Sequence, residues 1–342
     1  MKILGIETSC DETAAAVVAN GTHLLSNVVA SQIDIHAEFG GVVPEVAARS
    51  HVEVMLPVVT KALRQAHTDW DGIDAIAVTE GPGLVGSLLI GTLTATTLAT
   101  LKNKPLIPIN HVEAHIYANF LLGETLVFPI LALIVSGGHT QLVLLRDHGD
   151  YEVLGRTQDD AAGEAFDKVA KIIGLPYPGG PAIAAAAKAG NDRSFSFPKA
   201  KLGKDSLNFS FSGLKTAVLR AAQTAVGRDF RTPSHELPAL LNDTQRQDIA
   251  ASFQRTVVEI LSDRILQAYK RYQPATVVIA GGVAANQALR HHLSQQLPMP
   301  ITYAPISLCT DNAAMIASLA YFQANAQLAN PAVLAPNPIL SM

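Results

Sequence analysis

The chain has 342 residues, 49% of them hydrophobic and only 16% charged, which supports a large core and excludes a disordered polymer. Its length suits one large or two medium domains. A net charge of −4 excludes a general attraction to nucleic acid, so any RNA contact must use a local basic patch, and two cysteines, Cys10 and Cys309, exclude a disulfide framework and fit a reducing cytosol.

The first segment, Ile3 to Val18, reads as strand, small polar turn, strand, with Thr8 and Ser9 at the tip. The apolar run after Lys2 reaches only Ile6 before Glu7, which is too short for a signal peptide. From Ile73 the pattern changes to strand, glycine turn, helix. Gly81 to Leu101 carries no charge and is long enough to mimic a membrane span. Its early glycines, its threonines from Thr92 to Thr100 and the Gly-Pro-Gly turn before it predict a buried helix instead.

His111 and His115 follow at the start of a further helix. A helix turns about 100° per residue, so the two imidazoles sit about 40° apart on one face and can share a cation. Glu113 falls about 200° from His111, on the far side. Val112 stands where the HExxH protease motif has its glutamate base, so a zinc-protease reading lacks its base. Two ordinary histidines near a helix start remain the alternative until a third ligand is found.

Phe128 to Leu145 repeats the opening hairpin, with Ser136, Gly137 and Gly138 at its tip. From Ala275 the strand, glycine turn and helix recur. The repeated order predicts two alike α/β halves with a cleft between them. Glycine tips and glycine-to-helix junctions let backbone N–H groups close on phosphate oxygens, so the repeat points to a nucleotide cleft. Between the second hairpin and its junction, Phe166, Val169, Ile172 and Ile173 make a helix stripe. Glu164 and Asp167 share the other face, either as a solvated acidic face or with Asp167 aimed at ligand hydroxyls or amines. Lys199 to Arg220 holds five basic residues with Phe209 and Phe211 interleaved. It reads either as an RNA-binding stretch or as a hairpin whose phenylalanines are core. Ile249 to Arg271 is a long core helix. Ser307 to Phe322 starts a helix at Asp311, which either caps it, as Thr310 also could, or supplies the third ligand to the histidine pair. The tail after Asn330 is Pro- and Ala-rich and expected to be peripheral.

Nine blocks carry a family resemblance: "GIETSCDETAAAV", "GGVVPEVAAR", "EGPGLVGSLLIG", "NHVEAHIYA", "VSGGHTQL", "AGEAFDKVAKIIGLPYPGGP", "FSFSGLKTAV", "AGGVAANQALR" and "CTDNAAMIA". In this order, from about residue 3 to 320, they resemble the Kae1/TsaD (Gcp, YgjD) family. The resemblance implies an actin/Hsp70/sugar-kinase (ASKHA) fold of two RNase H-like domains. The first would be residues 1–128, joined by a C-terminal helix 312–342, and the second residues 129–311. It implies transfer of threonylcarbamoyl from threonylcarbamoyl-AMP to N6 of adenosine 37 in tRNAs reading ANN codons, with AMP released. It assigns a divalent metal, Fe2+ before Zn2+, to His111, His115 and Asp311. Ile134, Val135, Ser136, Gly137 and Gly138 would line the phosphate and acyl site; Asp167, Gly180 and Asn286 would bind the nucleotide; Glu12, Asp167 and His139 would serve catalysis. TsaB-like and TsaE-like partner proteins, a cytoplasmic location and no membrane attachment complete the expectation. Ala184 stands where some relatives carry an acid. The rival readings are an ATPase or small-molecule kinase of the same fold, a metalloprotease and a non-catalytic scaffold.

Overall fold

The computed structural model describes residues 1–123, 125–327 and 334–342. Ten strands run in chain order: β1 (Lys2–Glu7), β2 (Glu12–Ala19), β3 (His23–Ser31), β4 (Ala75–Gly81), β5 (Leu106–Asn110), β6 (Ile130–Val135), β7 (Thr140–Asp147), β8 (Asp150–Arg156), β9 (Thr276–Ala280) and β10 (Ile301–Tyr303). The helices are α1 (Ile33–Ala37), α2 (Pro44–Gln65), α3 (Val85–Lys102), α4 (His111–Tyr117), α5 (Ala162–Ile173) and α6 (Gly179–Ala187). They continue with α7 (Ser212–Ala225), α8 (Leu237–Leu240), α9 (Asp243–Tyr272), α10 (Gln287–Gln296), α11 (Ile306–Cys309) and α12 (Ala313–Gln327).

Two compact units result: Met1–Phe128 with Leu145–Tyr151 and Tyr303–Met342, and Pro129–Leu144 with Glu152–Thr302. One sheet is ordered β3-β2-β1-β4-β5 and the other β8-β7-β6-β9-β10. The two orders are the same, strand for strand, so the repeat read from the sequence is a repeat of sheet topology. In both, the central strand has a parallel neighbour, β4 beside β1 and β9 beside β6, and each parallel neighbour leads into a glycine turn and a helix.

In the first unit, alternation along β1 decides what faces what. Leu4 and Ile6 join the core under α2 and α3, with Met55, Val58, Ala95 and Ala99. Gly5 points to the opposite face, where the Ala313 carbonyl of α12 lies so close that a Cβ would overlap it. Side chains alternate across a strand, so Glu7 shares the Gly5 face and is directed toward the α12 side.

Several expectations change. α3 is the one described helix long and apolar enough to cross a membrane, yet it is not sunk in the core: only a third of it is buried. It packs on β4 and α2 with one face and exposes Val85, Leu89 and Leu93 on the other. Phe209 and Phe211 are both fully buried, so the core reading of Lys199 to Arg220 holds and base stacking by these rings does not. That stretch is no hairpin; Phe209 makes an isolated bridge to Thr157 and the chain enters α7. The helix expected over 312–342 runs Ala313–Gln327; residues 328–333 lie outside the described residues, and 334–342 are not helical. This tail is tied down rather than peripheral. Asn337 donates to the Glu80 carbonyl at 2.8 Å, and Gly83 donates to the Pro338 carbonyl at 3.3 Å.

Candidate metal centre

The histidine pair is placed by a cap. The Asn110 side chain accepts from the backbone N–H groups of Val112 (2.9 Å) and Glu113 (3.1 Å), which starts α4 at His111. The His111 and His115 rings stand edge to face, 4.8 Å between centroids. At α12, Asn312 accepts from the Met315 N–H, so Asn312 is the cap and neither Thr310 nor Asp311 is. Asp311 instead places Oδ1 3.5 Å from His111 Nε2 and 3.4 Å from His115 Nε2. Asp311 and both histidines lie in the first unit, although its position in the chain suggested the second half.

These groups fit a cation. Two ligands about 2.1 Å from one ion are separated by about 3 to 3.4 Å, close to the observed spacings, and all three ligand atoms lie within 4.8 Å of one another. Behind His111, Glu7 Oε2 accepts from Nδ1 at 2.9 Å, which turns Nε2 toward Asp311. A carboxylate on the outer nitrogen of a histidine is the usual support of a metal-binding imidazole. Glu7 is fully buried and also accepts from the Ser9 N–H and the Thr79 hydroxyl. Burial alone would push its carboxyl up, but His111 beside it outweighs that and holds it below the ordinary carboxylate value. Burial likewise disfavours a charged His111, yet Glu7 and Asp311 raise it well above the usual imidazole value. The buried donor set therefore has a net demand for positive charge, as a metal-binding cluster must.

The loop from β1 to β2 forms the acidic side of this centre. Ser9 Oγ lies 3.3 Å from His111 Nδ1. Burial, followed by the Asp311 and Asp11 carboxylates, pushes Glu12 up to about 10, so in this arrangement it holds a proton at neutral pH. Cys10 is pushed far up as well, chiefly by burial, and stays an unreactive thiol. Its carbonyl is pinned from two helices: His51 Nε2 of α2 donates at 3.0 Å and Ser87 Oγ of α3 at 3.1 Å. His51 has no solvent exposure and sits against Thr13 Oγ1 at 2.7 Å. Burial lowers its pKa, against the bond to Cys10 and the charges of Glu7 and Asp11, and His36 lowers it further. A lowered folded-state value means His51 contributes stability that is present above the unfolded value of about 6.5 and lost as pH falls below it. Against a chain without His51, unfolding free energies from urea titration should therefore fall more, or rise less, between pH 7 and pH 5.5, by up to about 1.4 kcal/mol per pH unit from this group, while the raised Glu12 carboxyl works in the opposite direction. An equal change in a His51→Gln chain would remove His51 as the cause.

The nucleotide-site residues expected from the resemblance all lie in the second unit. Ile134 and Val135 are fully buried at the end of β6, while Gly137 and Gly138 are exposed at the turn. Ser136 donates its N–H to the His139 carbonyl at 2.8 Å, and His139 returns its N–H to Ser136 Oγ at 3.2 Å. The first turn of α5 reaches this turn, Gly163 N–H donating to the Ser136 carbonyl at 3.1 Å. Gly281, at φ +91°, crosses close over the Val135 carbonyl, so the ends of parallel strands β6 and β9 converge there. Asp167 accepts from the Gly179 N–H at 2.7 Å and fixes the turn that carries Gly180. Asn286 caps α10 through Oδ1 and donates Nδ2 to Gln254 at 2.9 Å. Sequence reasoning missed Glu7, His51 and Ser87; strand parity placing Glu7 opposite Leu4 and Ile6 was the one available signal.

Comparison with known proteins identifies the family and the fold class. The family model of TsaD, tRNA N6-adenosine threonylcarbamoyltransferase, matches residues 23–318. A tRNA N6-adenosine threonylcarbamoyltransferase of Thermomicrobium roseum is 55% identical over 339 residues, covering 95% of this chain and 92% of the relative. Among solved structures, T. kodakarensis HypF superposes with a TM-score of 0.62 at 14% identity, over 98% of this chain and 49% of that one. Component A of the Acidaminococcus fermentans (R)-2-hydroxyglutaryl-CoA dehydratase gives 0.52 at 16% identity, over 95% and 99%. These two likenesses speak for the fold, which is the ASKHA class. From its fold, its histidine–carboxylate centre and its sequence likeness along nearly the whole length, the chain belongs to the TsaD family of tRNA N6-adenosine threonylcarbamoyltransferases.

Proposed function

We propose that this transferase uses His111, His115 and Asp311 to hold a divalent cation, Fe2+ before Zn2+, while it moves threonylcarbamoyl from threonylcarbamoyl-AMP to N6 of adenosine 37 in tRNAs reading ANN codons. The single observation behind this reading is the convergence of the two imidazoles on the Asp311 carboxylate, with Glu7 behind His111. A nitrogen–oxygen donor set of this kind suits iron or zinc and leaves coordination positions open.

The adenine amine is a weak nucleophile because its lone pair is delocalised. The mixed anhydride drives the reaction: the N6–carbonyl bond forms, the bond from the carbonyl carbon to the phosphate oxygen breaks, AMP departs and N6 loses a proton. A bound cation would polarise a carbonyl or phosphate oxygen and, beside Asp311, would lower the Glu12 carboxyl. Glu12 and Asp167 are the candidate acceptors of the N6 proton. The exposed Gly137 and Gly138 offer backbone N–H groups to charge building on the leaving phosphate, and His139 braces their turn. Ile134, Val135 and Ser136 shape the same site; Asp167, Gly180 and Asn286 hold the nucleotide.

TsaB-like and TsaE-like partners and a cytoplasmic location belong to this reading. The outward faces of α2 and α3 support a protein partner: Val52 and Leu56 on one and Val85, Leu89 and Leu93 on the other are exposed at one-turn intervals. The test is mass spectrometry of anticodon-loop nucleosides from tRNA incubated with this chain, its partners and threonylcarbamoyl-AMP. A mass gain of one threonylcarbamoyl group on adenosine 37 is expected; none would overturn the reading.

A further inference from the structure

An enzyme of this family must hold a tRNA much larger than the reacting adenosine, and the chain's net charge is −4. The stretch that looked basic in the sequence, Lys199 to Arg220, does not supply the contact along its whole length; only its last residue, Arg220, takes part. Its phenylalanines are core, and Lys199 is neutralised by Glu259 at 3.1 Å and Asp263 at 2.8 Å. Lys168, Arg246 and Arg255 are paired with carboxylates too.

At the end of α7 the pattern is different. Phe230 is 64% exposed in the loop after the helix. The Arg220 guanidinium lies 5.5 Å from its ring centre and that of Arg231 5.6 Å. Arg220 Nη1 also donates to the Phe230 carbonyl at 3.0 Å and to Gln223 Oε1 at 3.1 Å. The buried Gln223 donates in turn to the carbonyls of Phe230 (3.3 Å) and Thr232 (2.8 Å), which fastens the loop to α7. Arg228, also exposed, completes three arginines within residues 220–231; among the described residues none of the three has a carboxylate partner. The one acid in this stretch, Asp229, accepts the Arg231 backbone N–H at 2.9 Å.

We infer that Arg220 and Arg231, set against the Phe230 ring, together with the exposed Arg228 two residues before it in the chain, form a contact for the tRNA phosphate backbone outside the reacting nucleotide. Unpaired guanidiniums present several donors in a plane that matches phosphate oxygens. Cation–π contact with Phe230 and the Gln223 tether hold two of them in place before binding, which lowers the ordering cost. Guanidinium planes over an exposed ring also offer a stacking surface for an unpaired base. A protein partner attracted mainly by the exposed Phe230 would have no need of three uncompensated positive charges.

This inference rests on the tRNA substrate of the family. The test measures KM for tRNA and for threonylcarbamoyl-AMP in the complete reaction, across about 50 to 200 mM salt, for wild type, Arg231→Glu and Arg231→Lys. Among the described residues, no side-chain hydrogen bond ties Arg231 to the fold, and a melting curve checks that Arg231→Glu is folded. Arg231→Glu should raise KM for tRNA about tenfold and leave KM for threonylcarbamoyl-AMP unchanged. The slope of log kcat/KM against log salt should fall by about one. Arg231→Lys should recover most of the loss. An unchanged tRNA KM and salt slope in the glutamate variant would overturn the contact, as would an equal rise in both KM values. Wild-type turnover in the same assay separates failure of this contact from failure of the transferase reading.

Discussion

An Asp311→Ala chain should purify without stoichiometric metal and transfer threonylcarbamoyl roughly a thousandfold or more slower than wild type. Among the described residues, the Asp311 carboxylate is the anionic group that faces both Nε2 atoms. Without it, two neutral imidazoles are left to hold a divalent ion, and the several kcal/mol that a Lewis acid supplies to developing charge is lost; about 4 kcal/mol corresponds to a factor of about a thousand. Two measurements check this: metal content by elemental analysis of the purified protein, and the rate of nucleoside formation. Asp311 does not cap α12, because Asn312 does. The melting temperature of the metal-free variant should therefore stay within a few degrees of the metal-free wild type. Full metal loading in the variant would remove Asp311 from the ligand set.

Glu7→Gln should have the next largest effect, although Glu7 touches no metal ligand atom other than through His111. Three donors converge on its carboxylate: the Ser9 N–H, the Thr79 hydroxyl and His111 Nδ1. An amide has the same shape but only one acceptor oxygen, so its NH2 must face at least one of these donors. In a site with no solvent exposure, that mismatch costs about 1–3 kcal/mol per unsatisfied group. It also removes the anion that orients His111, for which losses of roughly 10- to 100-fold in metal affinity are typical. Titration of the metal-free variant with Fe2+ or Zn2+ should show this weakening, with His115 and Asp311 still present. Wild-type affinity would show that His111 is oriented by something other than Glu7.

Contrasting α4 with α12 shows how much of the site was legible. His111 and His115 declared themselves by spacing, because a helix repeats in a fixed period and one turn brings both rings to one face. Asp311 did not. Thr310, Asp311 and Asn312 are all residue types that cap helices, and only the bond from Met315 to Asn312 shows which one does so. Phe209 and Phe211 posed the same kind of ambiguity. Aromatic rings among lysines serve a core or a nucleic acid equally well in sequence, and burial decided for the core. The exposed ring with arginines about it, Phe230, lies ten residues beyond the stretch that drew attention, in a loop with no periodic pattern to read.

The sequence by itself determined the repeat, the elements at its glycine junctions, the histidine pair and, through nine ordered blocks, the family. All of these are local patterns, set by the helix and strand periods and by what glycine allows. The tertiary structure alone decided that Asp311 joins the histidines within one unit, that Glu7 backs His111 across 104 residues of chain, and that His51 and Ser87 grip the Cys10 carbonyl. These pairings depend on which strand face meets which helix, and that is settled by packing the whole sheet against α2 and α3 on one side and α12 on the other.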